Sequence, residues 1–497
     1  MGLTVRRLGL LPLSFCVVAF VLLATMNSAG YRYGASDQAF YIPAVLRHLD
    51  AALFPRDGAL IESQARLTII DDLASGIIQA TGVSLQHLFL ALYLVSLVLL
   101  LLAAARISAQ LFRTQWAVVA VGAALTLRHA IAKTGANTLE GYFHPRQLAF
   151  ALGLLAVAAF LERRDRQWIP LLALAGAVHP TTTLWFAVWL GVAYWLARPG
   201  WRKPLAIATL GLGVAGLTAI FRGPLAAHLA PMDAAWLAVV ADRDYLFPVA
   251  WPLNVWCTNL LAIPVIVWCW RARQRAGVAT DRETPLVAGV LSLAVVFFCW
   301  LPFNAVHLAL AVEMQVTRVF WMLDILGTIF LVGWLAEGIG TPARTRGAIV
   351  VTVIVLLSLG RGVYSTLIQF SDRPIFGVDL QHSDWRDAMA WARTTAPGSG
   401  WLADPVHAAR YGSSLRAAAH RDVFLEQLKD RAIAMYARDT AMRVADRERA
   451  LAATPWDTAE GARALAARFD LDYLVIEREL PLPLAHRSGA LFIYRLR

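Results

Sequence analysis

The chain has 497 residues, 58% of them hydrophobic and only 16% charged, where an ordinary soluble domain carries about 25% charged residues. Its formal charge of +11 would suit a nucleic-acid partner, but the basic residues sit in short runs between long apolar segments, the signature of cytoplasmic membrane loops, and this excludes that class. The four cysteines, Cys16, Cys257, Cys269 and Cys299, lie in or beside apolar runs without metal-ligand spacing, and read as small hydrophobes in helices.

In chain order, Arg6 and Arg7 precede a first apolar stretch that is long for a cleaved signal and lacks an A-x-A site, so a retained helix is expected. Hydropathy then gives about eleven spans: 8–26, 86–104, 116–131, 147–161, 168–179, 181–197, 204–221, 252–270, 285–301, 318–338 and 347–364. Runs such as LFLALYLVSLVLLLLAAA are long enough to cross roughly 30 Å of hydrocarbon. Placing Arg6 and Arg7 in the cytoplasm and counting crossings leaves Arg106 and Arg113, and the basic runs at 162–167, 198–203, 271–275 and 343–346, on that same side. The expected fold is therefore a polytopic α-helical membrane protein, with residues 1–364 in the membrane domain.

Two segments break the pattern. WIPLLALAGAV (168–178) is too short to span alone and ends at His179-Pro180, and 116–131 ends in Arg128 and His129. A broken helix at membrane depth has to be buried in protein or line a cavity. The long polar loops 27–85, 129–146, 222–251 and 302–317 then lie outside, and DQAFYIPAVLRHL and ARLTIIDDLASGIIQAT within the first read as amphipathic interfacial helices. Residues 365–497 are polar and mixed. DWRDAMAWARTTA and AEGARALAARF read as helices, and GWLADP, DYLVIER and ALFIYRL as strands, which predicts a small α/β domain outside the membrane.

Ionisable side chains close to a membrane are costly and default to functional roles. The outer-side candidates are Asp37; Glu140, His144 and Arg146 in NTLEGYFHPRQLAF; His179; and Glu313 and Arg318 in AVEMQVTRVFWMLD, with Asp324 deeper. Each has a structural alternative. Asp37 or Ser36 suits a helix cap, His144-Pro145-Arg146 a helix start with Arg146 reaching to lipid headgroups, and His179 a helix breaker. Arg318 suits a partner of Glu313 or Asp324, while Asp71-Asp72 and ADRDY (241–245) read as solvated loop charges. Taken together, a carboxylate beside arginines and histidines suits a phosphate-bearing lipid, because the guanidinium fork matches phosphate.

This layout resembles the GT-C superfamily of membrane glycosyltransferases, which use polyprenyl-phosphate sugars. The strings YGASDQAFYIPAVL, GYFHPRQLAF and AVHPTTTLWFAVWL are similar to bacterial membrane proteins of that architecture, as is the tail DWRDAMAWARTTAPGSGWLADP with ARFDLDYLVIE. Many members carry paired acids in the first loop; here Gln38 follows Asp37, so only Asp37 corresponds. The resemblance implies a polyprenyl-phosphate-linked sugar donor taken from the membrane lipid and an acceptor hydroxyl deprotonated by Asp37, with inversion. Glu140, His144, Arg146, His179, Glu313 and Arg318 would bind substrate. It assigns no metal ligands and no cofactor, and leaves a divalent metal open. The competing readings are a transporter or flippase of lipid-linked or anionic solutes, and a non-catalytic envelope-assembly protein of the same fold. The check on the enzyme reading is whether Asp37, Arg146 and Arg318 face one cavity.

Overall fold

The apolar runs are rich in leucine, alanine and valine and are started by residues that satisfy free backbone N–H groups. Ser84 accepts from the His87 N–H to open Leu85–Leu111, and Thr114 accepts from the Ala117 N–H to open Gln115–Ala124. The computed structural model describes residues 10–223, 225–338 and 344–497, so Arg6, Arg7 and Ala343 lie outside the described residues. Every one of the eleven apolar segments contains helix. Among the described residues, however, six helices are long and apolar enough to cross a membrane: Leu85–Leu111, Pro199–Arg222, Leu253–Arg275, Glu283–Ala305, Ala309–Glu337 and Arg344–Gln369.

The expectation of eleven spans is thereby corrected. Hydropathy windows register apolar composition, not where a helix stops. Gln115–Ala124 has 10 residues and Trp168–Val178 has 11, which at about 1.5 Å per residue cover roughly half of the hydrocarbon. Pro145–Leu161 is also short, yet all 17 of its residues are buried; it packs against Leu85–Leu111, Trp168–Val178 and Pro180–Ala197 as the central helix of the bundle. Pro199–Arg222 is the opposite case. None of its residues is buried, and Leu210, Leu212 and Phe221 are each at least 70% exposed, an apolar surface of the kind that a bilayer covers.

The first polar loop folds as three helices, Gln38–Leu49, Gly58–Ala65 and Ile70–Thr81. The second was not expected from the sequence; the other two match the amphipathic stretches. The tail is an α/β unit. Its strands are β1 (Gly400–Leu402), β2 (Asp422–Val423), β3 (Tyr473–Ile476), β4 (Leu484–Ser488) and β5 (Leu491–Arg495), in the order β2-β1-β3-β5-β4. The pairs β1–β2 and β1–β3 are parallel, and β3–β5 and β4–β5 antiparallel. Three strands fall where alternation predicts them. β2 has two residues and β4 is half-exposed, so neither leaves an apolar pattern to read.

A buried ionic chain fastens this unit to the first loop. Arg416 donates Nε to Asp57 Oδ2 at 2.6 Å and its two terminal nitrogens to Asp430 at 2.6 and 3.0 Å, a bidentate geometry that lysine cannot reproduce. Arg443 also pairs with Asp57, and the Val423 N–H donates to it at 3.1 Å. Asp57 is 0% and Arg416 and Asp430 are each 1% exposed, so each depends on the others for its solvation. A parallel pairing of Tyr31–Arg32 with Phe376–Gly377 adds a second tie.

Two predictions follow from the burial of this chain. Asp57→Ala leaves Arg416 and Arg443 short of a partner and destabilises the fold by about 3–5 kcal/mol; thermal unfolding of the purified protein checks it, and an unchanged midpoint contradicts it. Burial also pushes the neighbouring Glu426 carboxyl up to about 7, against about 4.3 in an unfolded chain. The folded state therefore binds the extra proton in that window, and its contribution is full below about pH 4 and is lost as pH rises through 7. Glu426→Gln keeps an acceptor for Ser414 and is expected to flatten the fall of the unfolding midpoint between pH 5 and 8; identical slopes in both proteins contradict this.

Candidate functional site

Three helices begin at one place, two of them capped by the side chain of a histidine. Asp37, His144 and His179 occupy the N-cap positions of Gln38–Leu49, Pro145–Leu161 and Pro180–Ala197, with Pro145 and Pro180 at the first helical position. His144 Nδ1 accepts the Arg146 N–H at 3.1 Å, and His179 Nδ1 accepts the Thr182 N–H at 3.3 Å. All three N-termini open on one cavity of about 430 Å³, where their free N–H groups and dipoles favour negative charge.

Asp37 sits at a cap position but its side chain caps nothing. His144 Nε2 lies 3.1 Å from Oδ2, and the Tyr142 hydroxyl donates to the same oxygen at 3.4 Å. Oδ1 accepts from Lys429 Nζ at 2.5 Å. Burial, and then the Arg146 charge, pulls the His144 imidazole down to about 4, so the ring is neutral at pH 7. A neutral ring whose Nδ1 accepts a backbone N–H carries its proton on Nε2. His144 is therefore a fixed donor to Asp37 and Asp37 is ionised: burial works to raise its carboxyl, and Lys429, with His144 next, holds it well below the usual carboxylate range.

The rest of the wall is cationic. Arg146 donates to Glu140 Oε1 at 3.0 Å, both side chains being about 6% exposed, and lies over the Trp321 ring. Arg318 is 8% exposed and, among the described residues, reaches only Thr181 Oγ1 at 3.5 Å and has a buried Nε without a partner. Arg32, Arg128 and Arg243 also line the cavity. Arg32 and Arg128 make no ion pair among the described residues, and Arg243 reaches Asp242 at 3.3 Å. Six cations thus face two carboxylates, Asp37 and Glu140, an imbalance that an anionic ligand would relieve.

Of the seven residues given a site role from the sequence, six share this cavity. Glu313 does not. It pairs with His228 at 2.7 Å in an adjoining space of about 470 Å³ that shares Tyr41, Gln64, His179 and Tyr436 with the first and is otherwise mostly apolar, with Leu67, Leu225, Leu310 and Met314 in its walls. Nor does Arg318 pair with Glu313 or Asp324; Asp324 faces His129 at 3.7 Å. Two loop readings hold for Asp72, Asp242 and Asp244, which are exposed, and are corrected for their neighbours. Asp71 is 5% exposed and held by His48, and Arg243 of the ADRDY loop belongs to the cavity. Lys429 and Tyr436 come from the tail, almost 400 residues from Asp37, and nothing local marks them. Lys429 is nevertheless one of only three lysines in the chain, with Lys133 and Lys203, among 45 basic residues.

Gln38, where the resemblance led to the expectation of a second acid, is wholly buried and turned away. Its Oε1 accepts the Gly34 N–H at 2.7 Å and its Nε2 donates to the Phe143 carbonyl at 3.3 Å. Among the described residues no three His, Cys, Asp or Glu side chains are grouped to hold a metal ion, and both cavity carboxylates already face cations, so the residues present do not fit a divalent cation. No protein-family model matches the chain, and no curated protein matches it.

The turn carrying Glu140 and His144 is pressed against the first loop at Gly141. A Cβ there would meet the Ser28 and Gly30 carbonyl oxygens at 2.7 Å, and neither is a flexible side-chain end. Gly141→Ala is expected to cost about 1–3 kcal/mol in thermal unfolding; an unchanged midpoint would show that the turn is free to move.

Proposed function

We propose that the chain is a bacterial inner-membrane glycosyltransferase of GT-C type, with the cavity and C-terminal domain on the periplasmic side; the first helix, Leu10–Asn27, taken as a seventh crossing, then leaves the N-terminus in the cytoplasm. The single observation that carries this reading is the joining of an oriented, ionised Asp37 to buried, unpaired guanidinium charge at three converging helix N-termini. That arrangement suits a phosphate next to a base. The adjoining apolar space suits the first isoprene units of a polyprenyl chain.

In the proposed step, Asp37 accepts the proton of an acceptor hydroxyl while its oxygen bonds to the anomeric carbon of the donor. The bond from that carbon to the phosphate oxygen breaks, and its electron pair leaves with the polyprenyl phosphate. Displacement from the opposite face inverts the anomeric configuration. Arg318 and Arg146 stabilise the charge that develops on the departing phosphate, and Glu140 holds Arg146 in place. The His144 proton on Nε2 keeps Asp37 turned toward the cavity. A transporter would need its charged groups at mid-bundle; here they gather in loops and first helical turns at one end, under residues of the C-terminal domain.

The test is transfer from a polyprenyl-phosphate-linked labelled sugar by membranes carrying the full chain. Asp37→Asn is expected to lower the rate by about 10²–10⁴-fold in a chain that still folds. A fully active Asn variant removes Asp37 from the role of base.

A further inference from the structure

The residue closest to Asp37 is one that the reaction scheme does not use. Lys429 lies in the helix Gln427–Ile433 of the C-terminal domain. Its ammonium contacts Asp37 Oδ1 at 2.5 Å and Ser36 Oγ at 3.1 Å and stands over the Phe40 ring at 5.8 Å. With His144 and Tyr142 on Oδ2 and Lys429 on Oδ1, three of the about four lone-pair sites of Asp37 are taken, and an acceptor hydroxyl has to share Oδ1 with the ammonium. The next residue, Asp430, is locked in the buried chain through Arg416, so the backbone under Lys429 is fixed and only the four-carbon stem is free to move. The side chain is 18% exposed toward the cavity. In a chain that uses arginine at nearly every basic position, this site carries a compact point charge on a flexible stem, which changes partners more readily than a guanidinium fork.

We propose that Lys429 is a positioning residue that exchanges partners: it covers Asp37 Oδ1, and an anionic donor headgroup entering among Arg146, Arg243 and Arg318 draws its ammonium onto the phosphate and opens Oδ1 to the acceptor hydroxyl. This rests on the lipid-phosphate donor proposed above. The exchange replaces one charge-assisted contact by another, so it is close to balanced. Once the ammonium leaves, the burial of Asp37 is no longer offset by its main cation, and the carboxylate becomes a stronger base. Base strength is thereby tied to the presence of donor, and Asp37 stays masked from hydroxyls when no phosphate competes for Lys429.

The experiment is native mass spectrometry of the full chain in detergent with geranylgeranyl monophosphate as probe, on wild type, D37N, K429M, D37N/K429M and R318M, with K429Q repeating the methionine arm if that variant does not fold. Partner exchange predicts that D37N, which frees Lys429 for the phosphate, tightens binding about tenfold when Lys429 is present and by less than about threefold in the K429M background. The difference between the two backgrounds isolates the exchange, because simple removal of the Asp37 charge acts equally in both. Binding that depends on Arg318 but responds equally to D37N in both backgrounds overturns the exchange and leaves the donor reading standing. Absence of binding, or binding indifferent to R318M, overturns the donor reading and the exchange with it.

Discussion

Everything at the cavity depends on the buried chain Asp57–Arg416–Asp430. Three groups at 1% exposure or less are stable there only while each supplies the other's missing hydration, so the C-terminal domain has one way to sit on the first loop. That seat is what brings Lys429 and Tyr436 over residues of the membrane domain nearly 400 positions earlier. Replacing the chain by apolar side chains of equal volume could preserve stability, but it would surrender the bidentate Arg416–Asp430 geometry that sets the rotation of the helix carrying Lys429.

The second constraint is the meeting of helix starts. A capping residue is ordinarily a local device, satisfying N–H groups at the beginning of its own helix. Here two histidine caps and an aspartate at a cap position are turned to one space, and the hydrogen bond that makes His144 a cap also decides its tautomer. The Nδ1 lone pair is committed to the Arg146 N–H, so the proton stands on Nε2 and points at Asp37. Structural and chemical readings of these residues are therefore not alternatives. The cap is the means by which the ring is aimed.

Much of this was legible in the sequence. Broken apolar segments at His179-Pro180 and at Arg128-His129 marked the cavity side, and a charge left beside an apolar run singled out Asp37, Glu140, His144, Arg146 and Arg318, all of which line one space. What stayed hidden has physical causes. Helix length depends on where neighbours take over burial, so a hydropathy window reads Pro145–Leu161 and Pro199–Arg222 alike although every residue of one is buried and none of the other. Glu313 looked equivalent to Arg318 from its position, but a tight turn through Gln315, at a φ of +49°, separates the two and sends Glu313 to His228. Lys429 belongs to a contact of very long sequence separation, and its only trace was its rarity among arginines.

The central claim is that the unpaired guanidinium charge at these helix starts is a seat for a lipid phosphate beside Asp37. The most direct measurement is a cryo-electron microscopy structure of the full chain in nanodiscs with an added polyprenyl monophosphate. The account predicts phosphate density within about 3.5 Å of the Arg318 guanidinium, with the isoprenoid chain running toward Leu67, Leu310 and Met314. Phosphate bound elsewhere, with the Arg318 guanidinium still facing only Thr181, would contradict it.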